Sequence, residues 1–472
     1  MVIRLAAVCI CKVYFLSHRQ CRQPKLQGCQ SRSVVFKLSQ FKRYLQVIVK
    51  KLMQNELLIK SIMTMFVQGA GQLTAFISAV LLARYFSVSQ YGQYMFGVTA
   101  ATITAVIATL GADGILARSW GWSDKSGSAR MTEVFFIHNW FWRKGMFILS
   151  VFIVLCLIGI FMVDPHPDLI EVFAFLFAFP FLIANLLQSF YIANRKVVKA
   201  NLIQLFMRII MLVIVVVFLS LPLFRSWPSL LVSVMFFAIL IYMIVLWLNV
   251  SSHYGFKIKQ PTGRNLPFML LKWGNLLLSQ IDIVLLKLFS NNQSIAYYAV
   301  ALQLSALVVF VLNAVSANIL AQVAHDYKKL SHHDFQCKIT EYTRVIFSLS
   351  FVVIVALIST GYWIALLYGR TYTEAYSLFC VLMIGQVINV LCGSVFTILN
   401  MSGHEKTTCR VFYVALLINV VFGISLIPFW HAYGVAVASV IAMAFWNITL
   451  LAIVLQRLKI NPTIFTRRKA AA

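Results

Sequence analysis

Residues Leu82-Ala83-Arg84-Tyr85-Phe86-Ser87-Val88-Ser89-Gln90-Tyr91-Gly92-Gln93-Tyr94 return later in the chain as Leu285-Leu286-Lys287-Leu288-Phe289-Ser290-Asn291-Asn292-Gln293-Ser294-Ile295-Ala296-Tyr297. The gapless offset is 203 (287 − 84); five positions are identical, and Arg84 answers Lys287. Each copy reads as the end of an apolar helix, one cation, a short polar turn ending in Gln, and the aromatic start of a second apolar helix. A second echo, Phe190-Tyr191-Ile192-Ala193-Asn194 against Phe396-Thr397-Ile398-Leu399-Asn400, lies at nearly the same spacing of 206 (396 − 190). Two pairs in the same order predict two parallel half-chains, an arrangement from which transporters build a pathway between lobes. The boundary falls near residue 260.

Composition points the same way. With 61% hydrophobic and 11% charged residues in 472, the chain has too little polar surface for a water-soluble globule and reads as all-α and multi-pass in a membrane. The net charge of +27 does not suggest nucleic acid, because Lys and Arg sit between hydrophobic runs and form no continuous basic domain. Cys156, Cys380 and Cys392 lie inside apolar runs as small packing residues, so neither a disulfide nor a metal is assigned.

Residues 1–52 carry eleven Lys and Arg and no acid, with apolar patches too short to span, and read as a basic extension. A secretory signal over Met1 to Phe15 is an alternative, although Lys12 interrupts it; translation starting at Met53, directly before the first span, is favoured. Deleting 1–52 is then expected to leave insertion intact. Beyond it, twelve apolar runs fall near 58–83, 93–115, 145–163, 169–193, 201–221, 229–249, 266–289, 295–322, 345–367, 375–400, 411–429 and 433–456. Each is long enough for about 30 Å of hydrocarbon. Met131 to Arg143 reads as an interfacial lead-in to the third run, Pro180 should kink the fourth, and Trp residues near run ends suit an aromatic belt. This divides the chain into 1–52, a lobe at 53–260, a lobe at 261–458 and a basic tail at 459–472.

Charge asymmetry orients these runs. With a cytoplasmic N-terminus, the inside loops gather Lys125, Arg143, Lys144, Lys196, Lys199, Lys257, Lys328, Lys329 and Lys406, whereas the outside turns hold Arg84, Arg225, Lys287 and Arg370 beside Asp164, Asp168 and Glu171. The bias predicts that both termini are cytoplasmic. Arg84, Lys287 and Arg370 are expected to anchor to headgroups or to cap helix C-termini.

The region from about Leu57 to Leu458 resembles the polysaccharide-biosynthesis flippases of the multidrug/oligosaccharidyl-lipid/polysaccharide exporter superfamily, the Wzx-type carriers of lipid-linked oligosaccharides. The resemblance rests on Leu82-Ala83-Arg84-Tyr85-Phe86 with Gln90-Tyr91-Gly92-Gln93-Tyr94, Leu110-Gly111-Ala112-Asp113-Gly114 and Arg118. It continues in Asp282-Ile283-Val284-Leu285-Leu286, Ala296-Tyr297-Tyr298-Ala299, Leu367-Tyr368-Gly369 with Tyr372, Asn419, and Tyr433-Gly434-Val435-Ala436. One departure is Ile295, standing where the Tyr-Gly pair would place Gly, which suggests a looser second turn. The resemblance implies two pseudo-symmetric six-helix lobes in a V around a cavity open alternately to either side, as in multidrug exporters of that superfamily. It also implies a polyprenyl-pyrophosphate-linked oligosaccharide as cargo. Membrane lipids, and a polymerase and chain-length regulator of an O-antigen, capsule or exopolysaccharide pathway, would be its partners.

Polar residues mark candidate cavity walls. Thr64, Gln68 and Gln72 share one face of the first span; Thr99, Thr102, Thr109 and Asp113 share one face of the second. Lys272, Asn275, Ser279 and Asp282 run up the seventh, and Ser305, Asn313 and Ser316 mark the eighth. Gln, Ser and Thr also serve as glue between membrane helices, but charges inside a bilayer are costly enough to mark function. The expected cargo contacts are therefore Arg208, Lys272, Gln68, Gln72, Asn275, Ser279 and Asn313. Asp113 and Asp282 are candidates for proton or sodium coupling, since no nucleotide-binding motif supplies an internal energy source.

An enzyme, such as a membrane polymerase or ligase, is disfavoured: no nucleophile elbow, phosphate-binding Gly loop or catalytic acid pair is present, and no cofactor is called for. His332-His333-Asp334 reads as the solvated part of a basic loop. The nearer rival is an ion-coupled drug or organic-cation antiporter, which would favour acids over cations in its cavity.

Overall fold

The protein, seen as a computed structural model, is described over residues 56–112, 116, 128–163, 168–194, 196–221, 227–254, 266–309, 332–402 and 404–463. Its packing divides into Met1–Ile59 and Lys60–Ala472, and the packing discussed below lies within the second unit. The proposed extension at 1–52 lies outside the described residues. The helices are α1 (Glu56–Tyr85), α2 (Val88–Ala108), α3 (Ser128–Val163), α4 (Leu169–Leu176), α5 (Ala178–Ala193), α6 (Val197–Ser220), α7 (Pro228–Tyr254) and α8 (Leu266–Phe289). They continue as α9 (292–309), α10 (His332–Tyr368), α11 (Glu374–Cys392), α12 (Val395–Met401), α13 (Glu405–Trp430) and α14 (Ala432–Ile453). No strand occurs among the described residues.

Nine helical runs among these residues are long and apolar enough to cross a membrane. The helices α2, α3 and α9 fall on the remaining runs. Inside hydrocarbon every polar group must find its partner in the protein, and the small hydroxyls do so locally. Thr74 donates to the Ala70 carbonyl, Ser78 to Thr74 and Thr104 to Ala100, each at 2.8–2.9 Å.

The repeated stretch forms two hairpins, as its pattern requires. In the first, Ser87 caps α2 and Gln90 returns the bond, a reciprocal box with N–H···O distances of 3.3 and 3.1 Å. In the second, Asn291 accepts from the Ser294 N–H at 2.8 Å and caps α9. The caps lie 204 residues apart (291 − 87), as do the helix ends Tyr85 and Phe289, so the turns are equally long and the structural offset is one more than that of the gapless match. That shift corrects the reading of Ile295. At the structural offset Ile295 stands with Tyr91, and Gly92 is matched by Ala296, which is fully buried. The turns close alike, Phe86 N–H to Leu82 and Ser290 N–H to Leu286, both 2.9 Å. Gly92 is needed for approach between the copies: a Cβ there would stand 1.8 Å from the Asn292 carbonyl oxygen.

Other expectations change in detail. Met131 to Arg143 runs without a break into the third run, as part of the continuous 36-residue α3. The fourth run breaks at Phe177, because Pro180 has no N–H for the Leu176 carbonyl and its ring crowds that turn, so α4 ends at Leu176. The tenth run is interrupted where Gly393 takes φ +73 against the Pro462 carbonyl, leaving α12 as a separate short helix. His332-His333-Asp334 opens α10 and is not a loop. The start of the basic tail is docked: Gln336 exchanges two hydrogen bonds with the Asn461 backbone at 2.7 and 2.8 Å, and Ile460 is buried.

Three apolar cores result. The largest gathers Phe135, Phe141, Phe175, Phe177 and Leu186 of α3–α5 with Met235 and Ile239 of α7. A second joins α8, α9, α11 and α14 around Leu286, Tyr298, Phe379 and Val435, and a third holds Phe412, Leu450 and Ile460.

Candidate functional site

The two hairpins bring their turns together, and at this turn end side chains cross between the halves. Lys287 Nζ lies 2.5 Å from Glu171 Oε2 of α4 and 5.1 Å from the Phe96 ring centroid, while Arg84 Nε donates to the Leu367 carbonyl at 2.6 Å. Arg84 therefore caps the C-terminus of a helix in the other half. Lys287 is held by a buried acid, not by headgroups. Tyr372 sits among Tyr91, Tyr297 and Tyr368 at centroid distances of 5.9, 6.0 and 6.2 Å. Gln303 ties this aromatic cluster together, donating to the Tyr91 hydroxyl at 3.3 Å and accepting from Tyr368 at 2.8 Å.

Gln303 is also part of the wall of a cavity of about 530 Å³. Thr99 and Thr102 line it from α2, and Asn275, Ser279, Gln280 and Asp282 from α8. Tyr298, Gln303 and Ser305 line it from α9, Gln386 and Asn389 from α11, Asn419 from α13, and Ser439 from α14 with Trp446. Because α8 has 3.6 residues per turn, Asn275, Ser279 and Asp282 at i, i+4 and i+7 share the face turned to this space. The wall offers hydroxyls and amides. Among the described residues Asp282 is its only carboxylate, and no described Lys or Arg lines it.

Asp282 is 3% exposed and held by neutral donors. The Tyr298 and Ser439 hydroxyls both donate to Oδ2 at 2.5 Å, and Asn419 Nδ2 donates to Oδ1 at 2.9 Å. Two acceptors beside it, Asn419 Oδ1 and Gln386 Oε1, are buried without a hydrogen-bond partner. Such groups are costly to leave unmet, so a donor or cation entering the cavity would be drawn to them.

The remaining expected residues stand elsewhere. Lys272, half-buried, lies one turn before Asn275 on α8 and is not part of the wall. Gln68, Gln72 and Arg208 do not line the cavity either. Gln68 and Arg208 belong to a second polar stripe: Gln68 Nε2 of α1 donates to Asn201 Oδ1 of α6 at 3.1 Å, and Gln204 of α6 donates to Gln188 of α5 at 2.9 Å. The half-buried Arg208 guanidinium lies against Gly71, where a Cβ would come within 3.0 Å of Nη1. Among the described residues no carboxylate pairs with it. Asp113 and Asn313 lie outside the described residues. Tyr298, Gln386, Asn419 and Ser439 were not singled out as site residues. Tyr298 and Asn419 stood only in family-like motifs, and nothing local distinguishes Ser439 from packing serines.

With this geometry in view, likeness to known proteins becomes interpretable. Residues 57–320 match the polysaccharide biosynthesis protein family. The chain belongs to that family. No curated relative matches it in sequence. Among solved structures, an inward-facing multidrug resistance MATE transporter of the MOP superfamily is similar over 84% of this chain and 98% of its own, with TM-score 0.63 and 12% identity. The lipid II flippase MurJ in an inward closed conformation shares 14% identity at TM-score 0.61, covering 83% of this chain and 87% of its own. A MOP superfamily transporter from Pyrococcus furiosus covers 84% and 94%, with TM-score 0.56 and 14% identity. At such identities the likeness carries the fold alone: over its described residues this polysaccharide biosynthesis family member has the all-α, multi-pass fold of those proteins.

Proposed function

We propose that the protein flips a polyprenyl-pyrophosphate-linked oligosaccharide across the cytoplasmic membrane, supplying repeat units for O-antigen, capsule or exopolysaccharide assembly. The observation that carries this reading is the chemistry of the cavity wall: Thr, Ser, Asn and Gln from α2, α8, α9, α11, α13 and α14, with a single acid among the described residues, already occupied by three neutral donors. A hydroxyl-rich head loses its water hydrogen bonds on entering hydrocarbon, and amide and hydroxyl groups restore them. An organic cation would instead need an acid free to pair with it. The anionic pyrophosphate would be met by Arg208, a cation without a carboxylate partner among the described residues, with Lys272 below the wall.

Asp282 serves coupling in this proposal. Exchange of a proton or sodium ion at its carboxylate, with Asn419 Oδ1 as the neighbouring acceptor, would reset the hydrogen bonds that join α8 to α9, α13 and α14. In this proposal both termini are cytoplasmic and the turn end faces outside, a reading the charge bias supports. The test is transport in proteoliposomes, comparing a fluorescent lipid-linked oligosaccharide with an organic-cation dye. Oligosaccharide flipping without dye export is expected; dye export alone would overturn the reading in favour of the antiporter.

A further inference from the structure

We infer that this protein binds the phosphate headgroup of an anionic lipid in a second, basic pocket at the end opposite the hairpin turns. The pocket, about 250 Å³, lies where the α5–α6 connection meets the last turns of α7. Lys196, Lys199 and His253 line it with the amides of Asn194 and Asn249, over an aromatic and aliphatic floor of Phe190, Tyr191 and Val250. Among the described residues no acid is part of the lining. Two Lys and two Asn lining one space suit a phosphate oxygen cluster, which takes point charges from Lys and neutral bonds from Asn; the Asn194 amide, which gives one N–H to the Phe190 carbonyl at 2.8 Å, keeps a second.

What singles out a lipid over a free anion is the surface that leads to the pocket. On α7, Phe237, Ile241, Val245 and Leu248 are 50–62% exposed at i, i+4, i+8 and i+11, a continuous apolar stripe ending beside Asn249. Val197, 39% exposed, flanks the pocket on α6, and Val213, Val216 and Val217 extend the apolar surface of that helix. Acyl chains along this surface would bring a headgroup to the height of Lys196 and Lys199. A phosphate dissolved in water gains nothing from the stripe. The pocket is separate from the Asp282 cavity, with which it shares no lining residue.

The test uses the full chain in nanodiscs of phosphatidylcholine doped with phosphatidylglycerol, with bound lipid counted by native mass spectrometry. Wild-type protein should retain phosphatidylglycerol in preference to phosphatidylcholine. Lys196→Gln/Lys199→Gln should weaken that retention about thirtyfold, the worth of two basic side chains near an anionic headgroup. Lys196→Arg/Lys199→Arg should keep it. Unchanged retention in the Gln pair overturns the proposal. So does displacement of the lipid by millimolar inorganic phosphate, which would make this a site for the free anion. Should the Gln pair not fold, hydrogen exchange on wild-type protein decides: added phosphatidylglycerol should protect the backbone around 194–199 and 249–253, and equal protection in pure phosphatidylcholine refutes the site.

Discussion

Asp282 and Arg208 are both charges set in apolar helices, and the structure treats them in opposite ways. Around Asp282, three other helices deliver a tyrosine, a serine and an asparagine to one 3%-exposed carboxylate, with every contact at 2.9 Å or less. Around Arg208 there is a glycine, a half-buried approach and no described acid. The first arrangement stabilises a group in place. The second leaves a cation whose desolvation is offset only when something else arrives. Under the proposed function, the C-terminal half would hold an internal switch and the N-terminal half a station for anionic cargo.

The sharpest way to break this comparison is Asp282→Asn, which keeps the shape and removes the charge. Surface polysaccharide in a flippase-null strain should fall by tenfold or more, on the order of the loss when a coupled group cannot change state. Membrane abundance, checked by immunoblot, should stay near wild type; full display at normal abundance would remove Asp282 from coupling. Arg208→Ala comes next, with display reduced several-fold, whereas Arg208→Lys should recover part of it by keeping the charge and losing the bidentate fork. Equal display in all three proteins makes Arg208 a structural residue and ends the proposed division of labour.

Gln386→Leu separates stability from transport. Removing the unpartnered Oε1 from a buried position should leave thermal stability unchanged or raise it by up to about 1 kcal/mol, while transport of the oligosaccharide declines because the wall loses a hydrogen-bonding group. Parallel loss of both would mean that Gln386 has a partner in the membrane state. The smallest effect is expected at Gln68→Ala, which removes one 3.1 Å bond to Asn201 at a cost of about 0.5–1.5 kcal/mol. Display should change less than twofold. A larger drop would promote Gln68 from glue to cargo contact.

Much of this was legible in the chain. Long apolar runs specify membrane helices because hydrocarbon demands internally bonded backbone, and that demand is local. The duplicated stretch around Arg84 and Lys287 announced two hairpins for the same reason. The spacing of Asn275, Ser279 and Asp282 put them on one face, and they do line the cavity. The spacing of Gln68 and Gln72 was equally regular, yet that face meets α6 and not the cavity wall. Periodicity gives the face of a helix but not its neighbour.

The amino-acid sequence by itself determined the helices, their order, the hairpin repeat and the family, since each depends on propensity, hydropathy and short-range pattern. Only the tertiary structure decided the rest. It set the one-residue shift that pairs Gly92 with Ala296, because register at a turn is fixed by which side chain caps the helix. It turned Lys287 from a headgroup anchor into the partner of Glu171, 116 residues away. It brought Tyr298, Asn419 and Ser439 to Asp282 from three other helices, a convergence no local pattern encodes, because a buried carboxylate takes its partners from whatever packing places within reach.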